Sequence, residues 1–155
     1  MSLSTVSADL QNNLGKVMHV GKWLTLTQER IDQFAAATGD FQWIHVDRAR
    51  AQKESAYGDT IAHGYLLLAL TPYLTGAVDA AKPAYPGMKS LVNYGSNKVR
   101  FIQAVAPGRR IRARTTLLSV EEINGALQVA RQISVEIEGE SKPACVAEVL
   151  SRIFF

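Results

Sequence analysis

Gly64-Tyr65-Leu66-Leu67-Leu68-Ala69-Leu70-Thr71-Pro72-Tyr73-Leu74 is the stretch on which the fold turns. From Gly64 to about Val78 its apolar residues fall on every side of a helix, and a helix that is apolar all round must lie inside a globule. Pro72 removes a backbone donor, which predicts a bend or weak point there. Interrupted by Thr71 and Pro72, the run is too short to cross a bilayer. A buried helix needs a surface to enclose it, and the second half of the chain supplies strands. Lys98 to Phe101 is strand-like, and Ala106-Pro107-Gly108 makes a turn. From Arg109 to Glu121, Ile111, Ala113, Thr115 and Leu117 share one face and Arg110, Arg112 and Arg114 the other. Asn124-Gly125 is a strong hairpin signal. Leu127, Val129, Ile133, Val135 and Ile137 alternate with polar or small residues, and so do Cys145, Ala147, Val149 and Ile153 in a last strand over residues 144–154. Half-buried strands of this kind pair antiparallel with one face on a core. The expected class is α+β, an antiparallel sheet wrapped around a central buried helix.

Upstream, residues 17–26 predict a first strand. Ile31, Phe34, Ala35 and Thr38 recur at helical spacing, which predicts a helix over 28–38. Thr27 stands at its N-cap, Glu29 suits its first turn and Gly39 follows its end. Asp40 to His45 then forms a loop. Asp47 can cap a short helix through Lys53, and Tyr57-Gly58-Asp59-Thr60 is a bend. Residues 82–87 form another loop, and Asn93 and Asn97 flank a glycine in what reads as turn chemistry.

A length of 155 residues suits one domain with a real core. Apolar residues at 47 % and charged residues at 20 % are ordinary for a globular protein. A net charge of +3 is too small to argue for nucleic acid. The single Cys145 excludes an internal disulfide and fits a reducing compartment. Residues 1–15 lack a secretory pattern, so a cytoplasmic location is expected.

The chemistry centres on Thr38-Gly39-Asp40-Phe41-Gln42-Trp43-Ile44-His45, where a carboxylate and an imidazole stand five positions apart at a helix end. A carboxylate beside a group that titrates near neutrality is what general acid–base catalysis needs. The stretch from Phe34 to His45, together with Ile61-Ala62-His63-Gly64, resembles the MaoC-like dehydratases, whose best-known members are (R)-specific enoyl-CoA hydratases. Phe34, Gly39, Asp40, Ile44 and His45 match that motif, while Gln42 and Trp43 stand where Asn and Pro are usual. With Asn93-Tyr94-Gly95-Ser96-Asn97-Lys98-Val99-Arg100-Phe101, the sequence is most similar to the NodN-like branch.

This resemblance implies a hotdog fold and the reversible addition of water to a trans-2-enoyl thioester, carried by coenzyme A or by acyl carrier protein. It implies that Asp40 and His45 act on one water and that the Gly64 backbone N–H, at a helix start, holds the thioester carbonyl. Gln42 would offer an amide to Asp40 or to the substrate. It also implies a homodimer with no cofactor and no nucleic-acid or membrane partner, and the proline-free alternation of residues 127–137 and 144–154 predicts that the two sheets join edge to edge through those strands. Three dispersed histidines and one cysteine predict no metal cluster, and a Gly-rich phosphate loop is absent.

Other residues carry two readings. His63 could line the site or bond a backbone carbonyl. Trp43 could wall an acyl pocket or pack, and Tyr65 and Tyr94 are possible pocket residues. Lys98, Arg100, Arg109, Arg110, Arg112 and Arg114 could meet coenzyme A phosphates, although alternate spacing of the last three suits a solvated sheet face. Two functions compete with hydration: a hotdog acyl-CoA thioesterase and a non-catalytic acyl-thioester binding protein.

Overall fold

Alternation in the second half of the chain resolves into one antiparallel sheet in a computed structural model that describes residues 2–78 and 81–155. Its long strands are β3 (Ser90–Phe101), β4 (Arg110–Ile123), β5 (Ala126–Ile137) and β6 (Cys145–Phe154), with short β1 (Val17–Val20) and β2 (Leu24–Thr25). The order is β1-β4-β5-β6-β3, and β2 also pairs with β4. Asn124 and Gly125 join β4 to β5 with φ of 51° and 77°, a two-residue turn whose twist matches that of the strands.

Helices α5 (Gly64–Ala69) and α6 (Thr71–Leu74) lie on one face of this sheet. Leu66, Leu67, Leu70 and Leu74 are buried against Ile111, Ala113, Ile133, Val135 and Ala147. The expected single helix is thus two short ones, with Pro72 in the first turn of α6, where a missing N–H costs nothing. Tyr65 and Tyr73 are exposed, so this helical segment is not buried all round as the sequence suggested.

The remaining helices are α1 (Leu3–Gln11), α2 (Gln28–Thr38), α3 (Trp43–Val46) and α4 (Arg48–Glu54). The bounds of α2 and its caps match expectation: Thr27 Oγ1 accepts from Arg30 N at 3.2 Å, and Gly39 takes φ 78°. Asp47 caps α4 by accepting from Arg50 N at 3.0 Å. Helix α1, unforeseen, buries Val6 and Leu10 in a second cluster with Leu117, Val120, Leu127, Val129 and Ile153.

Three strand expectations need correction. The first strand is interrupted at Gly21, where a Cβ would collide with the Leu74 carbonyl oxygen of α6. Asn93 and Asn97 belong to no turn, because β3 starts at Ser90 and accommodates them with register shifts between Asn93 and Gly95 and between Ser96 and Lys98. Strands β5 and β6 were expected to offer edges for association, yet both are inner strands; the long open edge is β3.

Candidate active site

The Asp40–His45 segment is not wholly a loop. Four residues form α3, and its first turn brings His45 N to Gln42 O at 2.9 Å. This turns the His45 ring inward, where it is buried, while Asp40 stays at the surface. Gln42 serves both through its backbone, since its N–H also points at Asp40 Oδ1 at 3.4 Å.

His45 Nδ1 lies 2.7 Å from the Ile61 carbonyl oxygen. A carbonyl only accepts, so Nδ1 carries the proton and Nε2 is the nitrogen left for chemistry. Burial pushes the pKa of His45 below the usual 6.5; the bond to Ile61 opposes this, neighbouring His63 adds to it, and Asp40 pulls the other way. The net result favours a neutral ring at pH 7.

Two of the three histidines, His45 and His63, come together, contrary to the expectation that all are dispersed. His63 stacks on His45 with ring centroids 3.8 Å apart, and Phe34 meets the His63 ring edge-on at 5.1 Å. His63 Nε2 donates to the Asp40 backbone carbonyl at 2.9 Å, the structural role weighed from the sequence, and its buried Nδ1 has no partner among the described residues. One side-chain atom from each of Asp40, His45 and His63 falls within 4.8 Å of the others. A metal would need their lone pairs to converge at about 2 Å from one point. The ring planes lie only 24° from parallel, and each ring already has one nitrogen engaged by a carbonyl, which leaves one nitrogen per ring for any ligand. The spacing suits a bridging water instead, since two hydrogen bonds of about 2.8 Å span such a gap.

Sequence reasoning missed Gln28. Its side-chain amide donates to the His45 carbonyl oxygen at 2.8 Å, and its Oε1 accepts from the fully buried Thr60 hydroxyl at 2.5 Å. Thr60 N in turn bonds Asp59, which Arg48 holds through a two-pronged ion pair at 3.0 and 2.9 Å. Nothing in local spacing marks Gln28, because its partners lie far along the chain.

Gly64 opens α5, where the first amides have no helical acceptor. A Cβ there would stand 2.6 Å from the Phe101 ring, so Gly64 also permits the close approach of β3. Tyr65 meets Phe101 edge-on at 5.5 Å. Trp43 lies under the Arg50 guanidinium at 4.4 Å, and Tyr94 under Arg152 at 3.7 Å.

The basic strand residues are engaged elsewhere. Arg112 and Arg114 both hold Glu136 at 2.6 Å, Arg110 holds Glu138, Arg109 holds Glu140 and Lys98 holds Glu148. That is the sheet-face reading rather than a phosphate cluster.

The profile of the MaoC like domain matches residues 9–138. Over 146 residues the chain is 47 % identical to 3-hydroxyacyl-thioester dehydratase Z of Mycobacterium tuberculosis (strain ATCC 25618 / H37Rv), spanning 94 % of this chain and 93 % of that protein. It is 39 % identical over 150 residues to Nodulation protein N of Rhizobium leguminosarum bv. viciae, spanning 96 % and 91 %. In structure it is similar to the monoamine oxidase regulatory protein of Archaeoglobus fulgius, with TM-score 0.76, 23 % identity, and 90 % and 89 % of the two chains covered. The (R)-hydratase of A. caviae gives TM-score 0.66 at 21 % identity, with 86 % and 96 % covered. These likenesses establish the hotdog fold.

Proposed function

Because the chain belongs to the MaoC-like dehydratase family, we propose that it is a hydro-lyase acting on acyl thioesters, adding water to a trans-2-enoyl thioester to give the (R)-3-hydroxyacyl thioester and removing it in reverse. The observation that carries this is the placing of an exposed carboxylate and a buried neutral imidazole, Asp40 and His45, close enough to share one water.

Hydration forms a C3–O bond, breaks an O–H bond and delivers a proton to C2. In the dehydration direction the same groups work in reverse. His45 Nε2, fixed in its acceptor form by the Nδ1 bond to Ile61, takes a proton from the water as the oxygen reaches C3. Asp40 orients that water from the other side, and the pair returns a proton to C2. The enolate oxygen that develops at C1 needs a donor, and the Gly64 amide supplies it. Gln42 holds the pair together through its backbone, with its exposed side-chain amide free to meet the substrate.

The long open edge of β3 supports a homodimer joined along that strand, so that the mouth of the site is completed by the second copy. Among the described residues no helix is long and apolar enough to cross a membrane.

The test is a direct assay on trans-2-enoyl-CoA. Loss of the conjugated-enoyl absorbance without release of free thiol, and recovery of the (R)-3-hydroxyacyl product on chiral separation, is the expected result. Free thiol appearing in step with the loss of thioester would mark a thioesterase instead. Binding of acyl-CoA without turnover of any enoyl chain length would mark a binding protein.

A further inference from the structure

A cavity of about 450 Å³ lies away from Asp40, His45 and Gly64, between α6 and the concave face of the sheet. Its walls break the alternation that built the sheet. Arg131 occupies a core-facing position of β5, the central strand, between Val129 and Ile133. On neighbouring strands, Thr115 of β4 and Ser151 of β6 also occupy core-facing positions, 3 % and 5 % exposed, and Asn93 of β3 pairs with Ser151. Four adjacent strands thus each aim one hydrogen-bonding side chain into the same space. They lie where the two apolar clusters part, with Ile133 and Val149 on one side and Leu117, Val129 and Ile153 on the other.

Buried polar groups are ordinarily satisfied, and an orphan is costly. Arg131 reaches Tyr85 Oη at 2.7 Å, a neutral partner for a charged group. The Thr115 hydroxyl, buried and lining the cavity, has no hydrogen-bond partner among the described residues. Lys82 adds a second positive group to the rim. Among the described residues the lining is rich in donors and holds no carboxylate.

The cavity's lining also extends towards the helix that Gly64 opens. A trough of about 310 Å³ along β3 shares Thr71, Pro72, Asn93 and Val149 with it and continues to Leu68 and Ala69 of α5, the helix that Gly64 opens. At 1.5 Å rise per residue, Thr71 stands roughly 10 Å along the helical segment from Gly64.

We propose that the trough carries the acyl chain and that the cavity selects substrates whose far end bears a hydrogen-bond-accepting oxygen group, a carboxylate or a carbonyl, rather than a methyl. This rests on the acyl-thioester reading above and adds the substrate class to it. Discrimination by buried donors is large because a methyl end would leave them unpaired.

Calorimetry on the whole protein with three saturated acyl-CoA thioesters of equal, medium chain length, ending in methyl, ketone or carboxylate, tests binding apart from turnover. An oxygenated end is expected to bind about tenfold or more tightly than the methyl end. Arg131→Met and Thr115→Val are each expected to shrink that advantage, and both place apolar side chains at core-facing positions, so they retain the fold. If the methyl-ended thioester binds equally or better, or the oxygen advantage survives in both variants, the inference is overturned while the thioester reading stands. If none of the three binds, the thioester reading fails and takes the inference with it.

Discussion

His45 and His63 lie face to face, ring centroids 3.8 Å apart, each tethered through one nitrogen to a backbone carbonyl. The tethers fix which nitrogen of each ring is free, and the contact makes a positive charge on His45 expensive in a buried setting. A neutral ring, as the proposed base requires, results from burial and tethering rather than from a special residue type.

The first prediction concerns pH. The folded-state pKa of His45 is lowered, so below the ordinary value of 6.5 the unfolded chain binds more protons than the folded one. Its contribution to stability is therefore full above 6.5 and is lost as pH falls from there through the depressed pKa. Hydration should follow the same direction, with kcat/KM falling on an acid limb whose midpoint lies below 6.5. A midpoint at or above 6.5, or an unchanged limb in His45→Gln, would contradict the assignment.

Gln28 should matter to rate without touching substrate. Gln28→Leu orphans the buried Thr60 hydroxyl and frees the His45 carbonyl, costing about 1–3 kcal/mol of stability. As Gln28 positions α3, kcat should fall more than KM changes, and Gln28→Glu, which keeps an acceptor for Thr60, should recover part of the stability. Equal rates in Gln28→Leu and the parent chain would show that α3 needs no such support.

At Gly64 two roles can be separated. Gly64→Ala sets a Cβ against the Phe101 ring, and Phe101→Ala should relieve that clash in the double variant. Gly64→Pro removes the N–H itself. If the amide holds the thioester oxygen, the loss in Gly64→Pro should approach the roughly 2.7–4 kcal/mol typical of an oxyanion donor and resist rescue by Phe101→Ala. Rescue of Gly64→Pro would leave only the steric role.

Association should run along β3. Val92 is half-exposed on this open edge, and Val92→Lys sets a charge where a second strand would pair. Sedimentation should show a dimer for the parent chain and a shift towards monomer in the variant. A fully active parent monomer would remove the second copy from the site.

Much of this was legible from local signals. Helix α2 carries its apolar stripe, its N-cap Thr27 and its terminal Gly39 in one short stretch, and the β4–β5 hairpin announces itself at Asn124-Gly125. Helix α3 was not legible, since four residues hold no periodicity and the bonds that hold it from outside come from Gln28 and Ile61, far away along the chain. Val6 and Leu10 of α1 did carry helical spacing, but two apolar residues scattered among polar ones made no clear stripe. Strand order is a tertiary matter, and alternation in β5 and β6 said nothing about which strand would be the edge. The stacking of His63 on His45 joins the residue before α5 to one inside α3 and has no sequence mark. Arg131 did have one: a charged residue in apolar phase between Val129 and Ile133.

The water-sharing pair itself is tested most directly by a double-mutant cycle on trans-2-enoyl-CoA hydration with Asp40→Asn, His45→Gln and the two combined, folding being checked by circular dichroism. Each single change is expected to lower kcat/KM by about 10²–10⁴-fold. The combined loss should fall well short of the product, because residues that act as one device are not additive. Near-parental rates in either folded single variant, or fully multiplicative losses, would contradict a shared water between Asp40 and His45.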